Sequence, residues 1–206
     1  MQDMIYLFLA PGFEEVEAMT PLDILRRAGL AVTTVAITTP AGIPATETAV
    51  TGAHGITVLA DMSEAALLSL LDASASCDSP DVCPVGASLL GVILPGGMPG
   101  TKHLDASPIV DRMLTLAANR GATMAAICAA PSVLGKRGYL QGKRATCFPG
   151  FEEDLKGAEV GGFVVRDGQV VTAAGMGVAA EFGYELVAGF ASPEVAAQIR
   201  RAVRTP

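Results

Sequence analysis

Three short apolar runs constrain this chain most: Met4-Ile-Tyr-Leu-Phe-Leu-Ala10, Leu89-Leu-Gly-Val-Ile-Leu94 and Thr123-Met-Ala-Ala-Ile127. None of them alternates polar with apolar residues along its length. Strands of that kind are covered on both faces, which is the condition of a parallel sheet carrying helices on either side. Each run stops at a turn of small residues, namely Pro11-Gly12, Pro95-Gly-Gly97 and Cys128-Ala-Ala-Pro131. The carboxyl ends of parallel strands are where open α/β sheets bind their ligands.

The segments between the runs complete the pattern. Glu14 to Gly29 reads as a helix, with acids at its start, Arg26 and Arg27 at its end and Gly29 closing it; Pro21 predicts a bend or a fresh start. Its apolar side is predicted to include Val16, Met19, Leu22, Ile24 and Leu25. Ala31 to Thr38 is a second buried strand, and short strands are expected near 48–51, 56–58 and 145–148. Helices are predicted over 63–71, with Ser63 as N-cap, and over 108–119, 178–190 and 193–204. Phe163 to Thr172 reads as a hairpin on an Asp167-Gly168 type I′ turn. Strands alternating with helices predict one doubly wound, mostly parallel α/β domain spanning residues 1–206. The stretch 73–87, rich in Ser, Asp, Pro and Gly, is expected to be an exposed insertion carrying Cys77 and Cys83.

Of the 206 residues, 50% are hydrophobic and 17% charged, with a formal net charge of −7. That balance argues against disorder and against nucleic acid as a partner. No apolar run reaches the roughly 18 to 20 residues of a membrane span. Asp3 precedes the first run where a secretory leader would be basic, so no signal peptide is expected. The four cysteines lack the paired spacing of a zinc site and are too few for a disulfide scaffold, so a reducing, cytoplasmic setting is expected.

Cys128 stands between the strand-like run and Pro131, a residue suited to open a helix. An isolated cysteine in an apolar stretch packs as a small hydrophobe. Here, however, Ala126 and Ala130 lie two residues to either side, as a nucleophile on a cramped strand-to-helix turn requires. A thiol at a helix N-terminus is expected to have a lowered pKa. A base is less obvious. The only histidines are His54 and His103, neither next to Cys128 in sequence, and His103 reads more simply as a solvated residue at a helix start. Glu14, Glu15 and Glu17 follow the first strand on the same sheet edge as Cys128. Acids there offset the helix dipole, and one facing inward would be desolvated, its pKa raised, and able to hydrogen-bond the sulfur.

Ala10-Pro-Gly-Phe-Glu-Glu-Val-Glu17, Arg26-Arg-Ala-Gly29, Leu94-Pro-Gly-Gly97 and Ala125-Ala-Ile-Cys-Ala-Ala-Pro131 together resemble the ThiJ/PfpI superfamily. The similarity is to the branch of the Parkinson-associated DJ-one proteins and their bacterial YajL relatives, from about Met4 to Arg200. The resemblance implies a flavodoxin-like fold, related to the class I glutamine amidotransferases, in a homodimer without cofactor or metal. It implies Cys128 as nucleophile and oxidation sensor, Glu17 as its protonated partner, and backbone N–H groups of Gly96, Gly97 and Ala129 as donors to an oxyanion. Phe148, Gly175, His54 and Arg27 are expected around the pair. Phe148 stands where the Parkinson-associated branch often has histidine, and His54 where the family has a hairpin arginine that reaches the partner's site. Ala129 replaces the histidine of the peptidase relatives, against peptidase or amidotransferase chemistry.

Two functions follow from the resemblance. One is hydration of glyoxal or methylglyoxal, or repair of early glycation adducts, in oxidative-stress protection. The other is a non-enzymatic redox sensor or chaperone acting through oxidation of Cys128.

Overall fold

The computed structural model describes residues 3–75, 85 and 89–205. Its centre is a seven-stranded sheet of β1 (Met4–Leu9), β2 (Val32–Ala36), β5 (Met62–Ser63), β6 (Leu89–Leu94), β7 (Thr123–Ile127), β10 (Val164–Asp167) and β11 (Val170–Ala173). The spatial order is β10-β11-β7-β6-β1-β2-β5, and every pair is parallel except β10 with β11. Two small pairs lie outside it: β3 (Ala49–Thr51) with β4 (Thr57–Leu59), and β8 (Arg144–Ala145) with β9 (Glu159–Val160).

Both faces of the sheet are covered, as the unbroken apolar runs predict. Along β1, Tyr6 and Phe8 enter one core while Ile5, Leu7 and Leu9 enter the other, the two-residue period of a strand. The first core is closed by α2 (Glu64–Ala75), α3 (Gly100–Asp105), α4 (Pro108–Arg120) and α5 (Pro131–Lys136). The second is closed by α1 (Glu15–Arg27), α6 (Ala179–Phe190) and α7 (Pro193–Ala202). From β1 the chain winds outward to β2 and β5, then crosses back to β6 on the other side. This reversal leaves a crevice at the carboxyl ends of β1, β6 and β7.

Several local expectations are corrected. Helix α1 runs from Glu15 to Arg27 with Pro21 inside it, so there is no fresh start at that residue; α6 packs against that point, where a Cβ on Gly183 would sit 3.2 Å from Pro21 Cα. Tertiary packing outweighs the lost N–H there. The buried residues of α1 are Glu15, Glu17, Ala18, Pro21, Leu22, Ile24 and Leu25, with Met19 packed against the same core; of the predicted apolar side only Val16, 41% exposed, is left out.

Helix α2 continues to Ala75 instead of stopping at Leu71, taking in the first residues of the expected insertion. Ser63 does accept from the Ala66 N–H, at 3.3 Å, as a cap should. Val85 is buried in the first core, against the expectation of a wholly exposed insertion. Cys77 and Cys83 lie outside the described residues. The hairpin turn is centred on Gly168-Gln169, and only Gly168 has a positive φ, at 60°. That excludes type I′, which needs both central residues there. The strand expected at 145–148 shrinks to Arg144–Ala145. Among the described residues, no helix is long and apolar enough to cross a membrane.

Candidate active site

Cys128 leaves β7 with φ at 65°, a left-handed conformation that a residue with a side chain adopts only under strain. Two hydrogen bonds hold it there. Its N–H donates to Ala173 O on β11, and its carbonyl accepts from the Phe148 N–H, both at 2.8 Å. Ala126 and Ala130 on either side are fully buried, which explains why this turn tolerates nothing larger. The sulfur is half-buried, neither sealed in the core nor free in solvent.

Glu17 reaches the sulfur from α1. It stands on the stripe that also carries Pro21 and Leu25, at four-residue spacing, so the packing that buries that stripe turns the carboxyl inward. Only 1% of it is exposed. Its carboxyl stands beside the Cys128 side chain and near the Met176 N–H, and Oε2 accepts from the Gly96 N–H at 3.1 Å. Gly96 must be glycine: a Cβ there would fall 2.5 Å from Glu17 Oε2 and 2.6 Å from Cys128 Cβ. The N–H groups of Ala129 and Gly97 lie close enough to the sulfur to favour its charged form. Gly97 has φ at 90°, and a Cβ on it would lie 2.3 Å from the Glu14 backbone nitrogen.

The expected trio of oxyanion donors is thereby divided. Gly97 and Ala129 face the sulfur, while Gly96 is occupied with Glu17. Met176 was missed in sequence because it contributes only its backbone; the Gly175-Met-Gly177 punctuation around it is the one signal that marked the spot.

The pair's ionisation follows from burial and contact. Burial pushes the Glu17 carboxyl up to about 7, opposed by hydrogen bonds from Cys128, Gly96 and Met176. Burial and the adjacent Glu17 carboxylate push the Cys128 thiol up to about 12, with the Ala129 and Gly97 N–H groups pulling it back. Two groups in contact titrate as a pair. One proton leaves near neutrality, and the second is held far above it.

The thiol acidified by a helix N-terminus, expected from sequence, is thus overturned while Glu17 is ionised. Helix α5 has six residues, and burial together with a like charge outweighs two N–H donors.

The remaining expected residues divide clearly. The Phe148 ring stands beside the pair, 48% exposed; a Cβ on Gly175 would lie 3.3 Å from Phe148 Cδ2 and 3.9 Å from Glu17 Oε1. Arg27 does not belong to the site. It is exposed at the far end of α1, bonded to Asp23 at 2.6 Å, and ten helical residues from Glu17 amount to about 15 Å.

His54 contacts the outer acids instead of the thiol. Its N–H donates to Glu15 Oε1 at 2.8 Å, its ring Nδ1 lies 3.1 Å from Glu15 Oε2 and 3.5 Å from Glu14 Oε1. These three side chains could present ligand atoms to an ion, but the ring and the backbone N–H groups of His54 and Ile56 already account for both Glu15 oxygens. His103 is half-buried with Nδ1 2.9 Å from Pro11 O, tying α3 to the loop after β1 rather than reaching the sulfur.

A doubly wound α/β domain with a half-buried cysteine on a strained strand-to-helix turn, facing a protonatable glutamate, defines the class of this protein as a cysteine-elbow flavodoxin-like fold. Its relatives agree. The DJ-1/PfpI family profile matches residues 3–189. The chain is 32% identical to the protein dj-1beta of Drosophila melanogaster over 208 residues, 98% of this chain and 96% of the relative. The crystal structure of Drosophila melanogaster DJ-1beta superposes with a TM-score of 0.80 at 29% identity, covering 100% of both chains. A glutathione-independent glyoxalase of Caenorhabditis elegans is 32% identical over 109 residues, 50% of this chain and 56% of the relative. The chain belongs to the DJ-1/PfpI family.

Proposed function

We propose that this protein is a cofactor-independent hydratase of reactive dicarbonyls such as glyoxal and methylglyoxal, or of early glycation adducts, using Cys128 as nucleophile in protection against oxidative stress. The observation that carries this reading is the buried Glu17 carboxyl, held by the Gly96 N–H at 3.1 Å, standing beside Cys128 at the turn. The similarity to a glutathione-independent glyoxalase also supports it.

In the proposed reaction the thiolate, formed while Glu17 is protonated, adds to the aldehyde carbon. A C–S bond forms, and the carbonyl oxygen takes the Glu17 proton to give a hemithioacetal, with the Gly97 and Ala129 N–H groups as donors to the developing charge. The Glu17 carboxylate then removes the proton from the former aldehyde carbon, and the neighbouring ketone carbon gains one, leaving a 2-hydroxy thioester. Water cleaves the C–S bond, releasing the hydroxy acid and restoring the thiol. The net change is the addition of one water, so no redox cofactor is needed. A carboxyl titrating near 7 suits both proton steps at neutral pH.

Methylglyoxal should be converted to lactate by the wild type, and Cys128→Ala should lower the rate by at least about three orders of magnitude. Full turnover in that variant would sink the reading.

A second reading, a redox sensor or chaperone, is favoured by the half-buried sulfur surrounded by donors. Two equivalents of peroxide would each transfer one oxygen and leave as water, giving a sulfinic acid. Gain of two oxygens at Cys128 under mild peroxide, with negligible dicarbonyl turnover, would favour sensing; oxidation elsewhere first would count against it. In either reading we place the protein in the cytoplasm as a homodimer. The exposed Val16 on α1 and Ile56 and Leu59 around the β3–β4 hairpin support the dimer.

A further inference from the structure

Three of the large apolar side chains left exposed among the described residues belong to backbone units that build the site. Met98 is 42% exposed and follows Gly97, whose N–H reaches the sulfur. Phe148 is 48% exposed, and its own N–H holds the Cys128 carbonyl. Met176 is 54% exposed, and it follows Gly175, a Cβ on which would lie 3.9 Å from Glu17 Oε1. These backbone groups serve the turn and the carboxyl whatever side chains they carry, so the apolar character of all three is not demanded by the pair.

Large apolar groups left in water next to a reactive centre mark a surface that a ligand covers. Glyoxal has no apolar part, and the single methyl of methylglyoxal covers little of such a surface. A flat aromatic ring would stack on Phe148 and meet the polarizable thioethers of the two methionines. Phe148 is well placed for this, since its ring and the Glu17 carboxyl flank one backbone position, Gly175.

We propose that Met98, Phe148 and Met176 form an apolar rim that selects α-oxoaldehydes bearing an aryl group over those bearing a methyl. The inference rests on the dicarbonyl reading above. The chemistry is unchanged: phenylglyoxal gains one water to become mandelate, as methylglyoxal becomes lactate, with the aryl group on the carbon that Cys128 does not attack.

Two measurements test it, on wild type, Phe148→Ala and Phe148→Leu. The first is kcat/KM for phenylglyoxal and for methylglyoxal. Stacking on an aromatic side chain corresponds to about twofold to tenfold. The ratio should favour phenylglyoxal by at least that factor in the wild type, fall to near one in Phe148→Ala, and lie between in Phe148→Leu, which keeps apolar volume. The second needs no turnover: alkylation of Cys128 by iodoacetamide, read by peptide mass, with mandelate or lactate as protectant. Mandelate should protect at about fivefold lower concentration than lactate, and that advantage should vanish in Phe148→Ala.

Cys128-dependent turnover of both substrates with equal efficiency would overturn the rim while leaving the hydratase reading intact. Turnover of neither would overturn the hydratase reading, and the alkylation arm would still decide the rim: equal protection by the two acids overturns it.

Discussion

The backbone N–H of Gly96, at the end of β6, lies 3.1 Å from Oε2 of Glu17, one turn into α1. This contact crosses the crevice between two strands' ends and holds the carboxyl against the sulfur. A methyl group on Gly96 would overlap both the carboxylate oxygen and Cys128 Cβ. Gly96→Ala is therefore expected to lose turnover and to destabilise the protein by about 1–3 kcal/mol, as overpacking does. Thermal unfolding and the methylglyoxal assay check this together; a variant with wild-type activity would show that the contact positions nothing.

Cys128 and Glu17 hold one proton between them over a wide range of pH. Replacing the carboxylate removes the like charge that helps push the thiol up to about 12. In Glu17→Gln the rate of Cys128 alkylation should rise with pH through a single inflection, lying below the upper step of the wild type. Two inflections in the variant, or an unmoved upper step, would contradict the pairing.

The same carboxyl links stability to pH. Its value is about 7 in the fold against 4.5 for the free side chain, so the folded state binds the proton more tightly. The stability it confers is whole below about 4.5 and is lost as pH rises through about 7. Between those limits wild-type stability should fall relative to Glu17→Gln, by up to on the order of 3 kcal/mol, and the melting temperature should fall with it. Melting curves from pH 4 to 8 provide the check; parallel pH profiles for the two proteins would refute it.

Arg27 lies at the solvent end of α1 and is paired with Asp23 within its own helix. Arg27→Ala should leave methylglyoxal turnover and Cys128 alkylation within about twofold of wild type. A larger loss in either assay would place Arg27 in the reaction after all.

Much of the architecture was legible in the chain because its signals are local. Unbroken apolar runs such as Leu89–Leu94 mean two-sided burial wherever they occur, and the Ala-Ile-Cys-Ala-Ala-Pro stretch carries its own steric reason for a tight turn. What failed was whatever depended on a distant partner. Pro21 reads as a break until Gly183 of α6 packs against it. Val16 reads as core until the packing leaves it 41% exposed. Gly96 reads as an oxyanion donor until Glu17 takes its N–H. The thiol's ionisation was misjudged for the same reason, since helix position is a local property and the charge beside it is not.

The order of strands and helices, the cysteine's place on a cramped turn and the acid-rich start of α1 belong to the sequence alone, because they depend on neighbours within a few residues. The resemblance singled out Glu17 among three glutamates; only the tertiary structure decided that Gly96 gives its N–H to that carboxyl and that burial pushes the carboxyl's pKa up. Those outcomes depend on burial and on distances across the crevice between β1, β6 and β7, which exist only once the sheet has assembled.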